Sequence, residues 1–209
     1  TLPSELYLMN PDGTGVGRLT YGVASSVNRP AWSPDGGRMA FECQVENGNS
    51  DICAINRDGT GFVRLTTDPA WDSGPTWSPD GALHVVSDRT GWRNLYRIVD
   101  GRLEPRLQIE AELGQPQWAV GHRASGFVGD GVVLFYDQGG VSHLVRLGAR
   151  DGQPRPIETD RTSFDDLATG PRFVVLVGGS PTEPSAVVRL DLADGRAEVL
   201  RRSSDLQID

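Results

Sequence analysis

Two stretches of this chain repeat nearly residue for residue, and the spacing of the repeat limits the folds open to it. YLMNPDGTGVGRLT, starting at Tyr7, returns without a gap as CAINRDGTGFVRLT from Cys53, an offset of 46. RPAWSPDGG around Trp32 returns as GPTWSPDGA around Trp77, an offset of 45. A period of about 40–50 residues belongs to architectures in which each unit buries a face against its neighbour. The repeat continues more faintly through five Asp-Gly turns. These are Asp12-Gly13, Asp58-Gly59, Asp100-Gly101, Asp151-Gly152 and Asp194-Gly195, spaced by 46, 42, 51 and 43 residues. Each follows a short apolar run (ELYLM, DICAI, NLYRI, HLVRL, AVVRL) and precedes another. Apolar runs of this length bounded by turn residues read as strands.

The turn chemistry completes the unit. Gly accepts positive φ without steric cost and Asp caps its own turn, so Asp-Gly between apolar runs predicts a hairpin. In WSPDG the Pro presets the first turn position and Gly closes the turn, at Asp35-Gly36 and again at Asp80-Gly81. Four strands per repeat result: one ending in Trp, one after SPDG, one before the later Asp-Gly and one after it. LHVV at 83–86, VVLFY at 132–136 and FVVLV at 173–177 are nearly continuous apolar runs, which predict sheets covered on both faces. The predicted fold is therefore an all-β β-propeller, a single domain over residues 1–209. Strands near 5–9 and 16–20 supply a partial N-terminal blade. Four four-stranded blades follow at about 29–66, 75–107, 115–158 and 163–203, giving five blades or an incomplete ring. The unpaired inner edge of the partial blade is an association hazard. It is left gapped, repaired by Asp205–Ile208, or completed by another subunit. Trp32, Trp77 and Trp118 recur at inner-strand ends and are expected to anchor blade packing.

Composition excludes several functions. Net charge is −8, a sign that opposes nucleic acid and anionic membrane surfaces. All 20 basic residues are Arg, so Schiff-base lysines and GxxxxGK[ST] phosphate loops are excluded. No apolar run approaches the ~18 residues of a membrane span. The opening TLPSELYLMN reads as neither a signal peptide nor a start at an initiator Met, which suggests a processed, trimmed or constructed chain.

No catalytic, cofactor or metal site is expected. The GxSxG elbow of serine hydrolases is missing; Val177-Gly178-Gly179-Ser180-Pro181 lacks the final Gly and reads as a strand-to-loop transition. His84, His122 and His143 lie on different repeat units without metal-ligand spacing. The loops at Asn10–Thr14 and Asn56–Thr60 resemble calcium loops but lack the closing Glu, so hairpin turns are expected there. Asp165-Asp166 reads as a charged loop, with a lining of the axial channel as the alternative, and Trp71 and Trp92 sit in loop-like sequence. Cys43 and Cys53 flank the hairpin loop symmetrically about Gly48, which would place them directly opposite on neighbouring strands. There Cβ atoms come within about 4.5–5.5 Å, near the range for a disulfide; buried thiols are the alternative.

Residues 5–81, through ELYLMNPDGTGVGRLT, RPAWSPDGGRMAFE, SDICAINRDGTGFVRLT and GPTWSPDG, resemble TolB-type propeller repeats. Residues 82–209, through LHVVSDRTGWRNLYRI, QPQWAVG, SPTEPSAVVRLDLADG and EVLRRSSD, resemble the propeller of prolyl-oligopeptidase-family serine peptidases of the acylaminoacyl-peptidase and dipeptidyl-peptidase branch. The first resemblance implies a periplasmic or extracytoplasmic setting, which would favour the disulfide, and a surface that binds protein partners. The second implies blades that precede an α/β-hydrolase domain and screen access to it. Two idioms meeting at the shared WSPDG suggest a join between lineages. The reading adopted is a non-catalytic scaffold, an engineered chimera without native ligand. The alternatives are a TolB-type interaction module and a substrate-gating propeller fragment of a peptidase.

Overall fold

The computed structural model describes residues 4–45, 48–114, 123–148 and 152–204, and within them the chain contains strands and turns but no helix. The strands fall into antiparallel sheets taken in chain order. A two-stranded sheet comes first, β1 (Tyr7–Leu8) and β2 (Gly17–Arg18). The second is β3 (Ser26–Trp32), β4 (Arg38–Gln44), β5 (Asp51–Asn56) and β6 (Val63–Arg64). The third is β7 (Asp72–Trp77), β8 (Leu83–Ser87), β9 (Asn94–Val99) and β10 (Arg102–Pro105). In the fourth, β11 (Glu112–Leu113) and β12 (Ser125–Val128) both pair with β13 (Gly131–Gln138), followed by β14 (Val141–Leu147) and β15 (Pro154–Pro156). The last is β16 (Ser163–Thr169), β17 (Phe173–Ser180), β18 (Glu183–Asp191) and β19 (Ala197–Arg202). These are the blades expected from the repeat, partial first blade included.

The chain divides into two compact units, residues 1–91 with 95–106, and 92–94 with 107–209. In the first, the period-two alternation of β4 and β5 feeds two cores. Met39, Phe41, Cys43, Cys53 and Ile55 pack with Val27 of β3 and with Ala24 of the connection before it against Leu6 and Leu19 of the first blade. Ala40 and Ile52 point the other way, onto Leu83, Val85 and Tyr96 of the third. The second blade is thus covered on both faces, which is why its strands carry apolar side chains at successive positions. In the second unit, Val133, Phe135 and Leu144 pack on Phe164, Leu167, Val174, Leu176 and Leu190, with the rings of Phe135 and Phe164 5.7 Å apart.

Several expectations need correction. The run 173–177 alternates between buried and half-buried positions, so only the face carrying Val174 and Leu176 is fully covered. Asp165 and Asp166 lie within β16, at a bulge between Phe164 and Asp166, and not in a loop. Here Asp165 is the extra residue of the bulge, and Asp166 Oδ1 beside it accepts from the Arg123 and Leu167 amides at 2.9 and 2.8 Å. The inner edge of the fourth blade is two segments, 112–113 and 125–128, set against one strand; Trp118 lies outside the described residues, as do His122 and Asp151. Trp32 is 43% exposed. Trp77, by contrast, packs against the core holding Leu83 and Val85, and its Nε1 donates to Ala31 O of the preceding inner strand at 3.1 Å.

The same repeat position meets two environments in the first unit. Ile55 is buried in the core and Met9, 46 residues earlier, is 69% exposed. Ile55→Ala should therefore cost about 2–5 kcal/mol and Met9→Ala about 0.5 kcal/mol or less. Urea denaturation of both variants measures the contrast, and equal losses would contradict this packing.

Candidate functional site

The turns repeat at atomic detail. Asn10 N donates to Thr14 O at 2.8 Å, Gly13 N to Asn10 O at 2.9 Å, and Thr14 N and Oγ1 to Asp12 Oδ1 at 2.9 and 2.7 Å. Forty-six residues on, the corresponding bonds of Asn56, Gly59, Thr60 and Asp58 measure 2.9, 2.9, 3.0 and 2.7 Å. The Thr hydroxyls and amides hold the Asp12 and Asp58 carboxyls below the usual carboxylate range. The second Gly of each motif is required because the Asn side chain folds over it: a Cβ on Gly61 would lie 2.5 Å from Asn56 Nδ2, at φ +65°. Such a loop spends its carboxylate on its own backbone. In the SPDG turns, Gly36 N donates to Ser33 O and Gly81 N to Ser78 O, while the Ser hydroxyls donate to Asp35 and Asp80. Asp100-Gly101 differs: both residues have positive φ (48° and 74°) in a two-residue loop, the type I′ arrangement. Gly152 and Gly195 have φ of 60° and 73°, and Asp194 Oδ1 accepts from Arg196 N.

A second repeated device went unread in the sequence. Asp51, which opens β5, and Glu5, just ahead of β1, are acidic, and the outermost strand supplies Arg and Thr from RLT. Arg64 Nη2 donates to Asp51 Oδ2 at 2.6 Å, Arg64 Nε to Thr66 O at 3.1 Å, and Ile52 N to Thr66 Oγ1 at 2.9 Å. Arg18, Thr20, Glu5 and Leu6 repeat the set. The outer strand has only two residues of regular pairing, so this clamp supplies the closure that the ladder lacks. The signal was present, since acid, Arg and Thr all recur at 46.

Around Asp51 the acids gather. Asp51 and Asp72 are both buried, and Arg89 Nη2 donates to Asp68 Oδ2 at 2.6 Å and reaches Asp72 Oδ1 at 3.5 Å. Burial pushes the carboxyls of Asp51 and Asp72 above the usual range; Arg64 pulls Asp51 back, while Ser87 and Thr66 do the same for Asp72. Raised carboxyls can mark a catalytic acid. Here two guanidinium groups and backbone amides already engage the cluster: Trp71 N donates to Asp88 Oδ1, Ala70 N to Asp68 Oδ1, and Asp72 N to Ser50 O. It ties the loops between the second and third blades. Among the described residues no three His, Cys, Asp or Glu side chains are grouped to hold a metal.

The remaining candidates are dispersed. Ser180 Oγ accepts from Glu183 N at 3.1 Å within its own turn. Burial in β8 pushes the His84 imidazole down to about 4, and His143 stacks on Tyr136 with centroids 5.2 Å apart. Cys43 and Cys53 are joined as a disulfide with Cα atoms 5.9 Å apart. They are not directly opposite: Cys43 faces Asp51 and Cys53 faces Phe41, so the bridge runs diagonally. The register is symmetric about residue 47, one short of Gly48.

Comparison with known proteins follows this geometry. No protein-family profile matches the chain. An uncharacterized peptidase of Bacillus subtilis, YuxL, is 26% identical over 169 residues, 80% of this chain and 24% of the relative. The Tol-Pal system protein TolB of Anaeromyxobacter dehalogenans is 49% identical over 47 residues, 22% of this chain and 10% of the relative. Among solved structures, a puromycin-hydrolysing peptidase of Mycobacterium tuberculosis superposes with a TM-score of 0.84 at 24% identity, over 95% of this chain and 32% of that one. TolB from Acinetobacter baumannii superposes with a TM-score of 0.72 at 17% identity, over 96% and 49%. Both resemblances seen in the sequence are thus present among similar proteins, and the fold is that of a β-propeller. The chain spans about a quarter to a half of the length of the longer relatives and solved chains it matches, TolB over its short match excepted.

Two outcomes follow. A buried carboxyl whose folded-state pKa is raised destabilises the fold increasingly as pH rises through that value, and the penalty vanishes below the unfolded pKa. Asp72→Asn should therefore raise Tm relative to the parent more at pH 7.5 than at pH 4, as thermal melts at both would reveal. For Cys43–Cys53, with a sequence separation of 10, chain entropy gives roughly 2–3 kcal/mol. Denaturation with and without reductant should differ by that much, and free thiols at both positions under oxidising conditions would reject the bridge.

Proposed function

We propose that this chain is a non-catalytic β-propeller scaffold of the peptidase-propeller kind, whose surface guides or contacts protein and peptide chains while bond cleavage belongs to a separate hydrolase domain. The observation that carries this reading is the superposition on the mycobacterial peptidase over 95% of the chain. It is combined with the engagement of the candidate groups: Ser180 is bound into its own turn, and Asp51 Oδ2 and Asp72 Oδ1 pair with Arg64 and Arg89, while Asp51 Oδ1 and Asp72 Oδ2 are sealed in the interior without a partner.

The change of idiom near residue 82 bears on origin. The Bacillus peptidase aligns over 169 residues, longer than either the 81 residues before the change or the 128 after it. The alignment therefore runs through the change, which supports a single lineage as the source of both idioms. A TolB-type interaction module is the second reading, favoured by the 49% identity over 47 residues. Incubation with a fluorophosphonate serine probe should leave the purified chain unlabelled; stoichiometric labelling would overturn the assignment. Fusion to the hydrolase domain of a peptidase relative should alter the size of peptide it cleaves, an effect a TolB-type module would not produce.

A further inference from the structure

Asp-Gly closes hairpins well and is also prone to rearrange, because Gly has no Cβ to shield its amide nitrogen from the neighbouring carboxyl. The chain carries eight such pairs. In five of them the Gly amide is already engaged. Gly13 N donates to Asn10 O, Gly36 N to Ser33 O, Gly59 N to Asn56 O, Gly81 N to Ser78 O and Gly195 N to Asp191 O, at 2.8–3.0 Å. Their carboxylates are engaged as well: Asp12 and Asp58 accept from Thr14 and Thr60, Asp35 from Ser33 Oγ and Gly37 N, Asp80 from Ser78 Oγ, and Asp194 from Arg196 N. In a sixth pair, Asp130-Gly131, Gly131 is buried in β13 and faces Val128 across a two-residue loop, where the ladder takes its amide.

Among the described pairs, Asp100-Gly101 lacks every one of these restraints. Val99 and Arg102 close its loop, so the ladder needs neither amide of the turn. Gly101 N donates no hydrogen bond, the Asp100 carboxylate accepts none, and both residues are exposed at the tip of the β9–β10 hairpin. Asp100 also holds a φ of 48°, a conformation that few L residues adopt. We infer that, of these pairs, Asp100-Gly101 is the one at which the folded chain forms isoaspartate. Gly101 N attacks Asp100 Cγ, and the new C–N bond replaces the carboxyl C–O bond. The amide proton and the departing hydroxyl leave as water, giving a cyclic imide. Water then adds to the main-chain carbonyl of the imide and breaks its bond to Gly101 N, which stays attached through Cγ. Solvent is the sole co-reactant and the mass is unchanged. The hydroxyl departs from a protonated carboxyl, and the turn bonds that hold Asp12, Asp35, Asp58 and Asp80 below the usual carboxylate range keep that form scarce there. The product adds a methylene to the main chain of a two-residue loop, so the type I′ turn is lost at the end of the four-residue β10. Its new α-carboxylate is the group that an isoaspartyl carboxyl methyltransferase esterifies. The inference is independent of whether the chain acts as a bare scaffold or beside a hydrolase domain.

The test incubates the whole chain at mildly acidic pH, folded in buffer and unfolded in guanidinium chloride. Proteolysis and electron-transfer fragmentation then read isoaspartate at each pair separately. In the folded chain Asp100 should accumulate it about tenfold faster than Asp12, Asp35, Asp58, Asp80, Asp130 or Asp194, the margin that one hydrogen bond sets. In the unfolded chain these sites should converge. Asp100→Asn keeps a favoured hairpin turn and should lose ammonia through the same ring closure, faster than the parent rearranges. Equal rates at all the sites of the folded chain, a faster rate at any of the six engaged pairs, or the same excess at Asp100 after unfolding would overturn the proposal. So would an Asp100→Asn chain that keeps its amide while folded.

Discussion

A β-sheet with apolar residues on both faces is stable in water only where another sheet covers each face, and the architecture follows from that requirement. The second blade meets it on both sides with side chains of opposite parity along the same strands: Met39, Phe41 and Cys43 one way, Ala40 the other. Continuous apolar strands are the sequence cost of such double coverage. Where coverage is one-sided, as for β17, the chain reverts to alternation, with Val174 and Leu176 buried and their neighbours half-buried. Burial depends on the neighbouring blade as much as on the sequence, as Tyr7 and Cys53 demonstrate from one repeat position.

Stacking needs edges that hold, and the outer edges of the first two blades are short. β2 and β6 are two residues long. The acid–Arg–Thr clamp compensates with charge-assisted bonds to the strand backbone. The balance differs between the two copies: Glu5 has its carboxyl held below the usual range by Thr20, the Gly22 amide and Arg18, whereas the buried Asp51 has its own pushed up despite Arg64. One motif therefore titrates in opposite directions in consecutive blades, because desolvation outweighs pairing only in the second.

What was legible in the sequence was local or repeated. Asp-Gly and SPDG turns are written in the residues that form them, and the 46-residue period counts blades because each repeat closes one sheet. What escaped depended on contacts between distant residues. The diagonal placement of Cys43 and Cys53 hinges on a one-residue difference in the centre of the hairpin, which symmetry about Gly48 could not reveal. Asp166, beside the bulge, is bonded to the amide of Arg123, 43 residues away. Trp32 and Trp77 share a motif, yet Trp77 Nε1 donates to Ala31 O of the preceding inner strand while Trp32 is 43% exposed. The clamp could have been found: its three residue types recur together, and their spacing was read only as strand punctuation.

This distribution of charge also bears on what such a chain can do. A catalytic group needs an oxygen or nitrogen left available for substrate, with its pKa set by surroundings that do not consume it. Here Asp12, Asp35 and Asp58 cap turns, Glu5 and Asp51 hold outer strands, and Arg89 bridges Asp68 and Asp72 while lying 5.2 Å from the centre of the Tyr96 ring. The polar residues that the repeat preserves are those that make one blade fit the next.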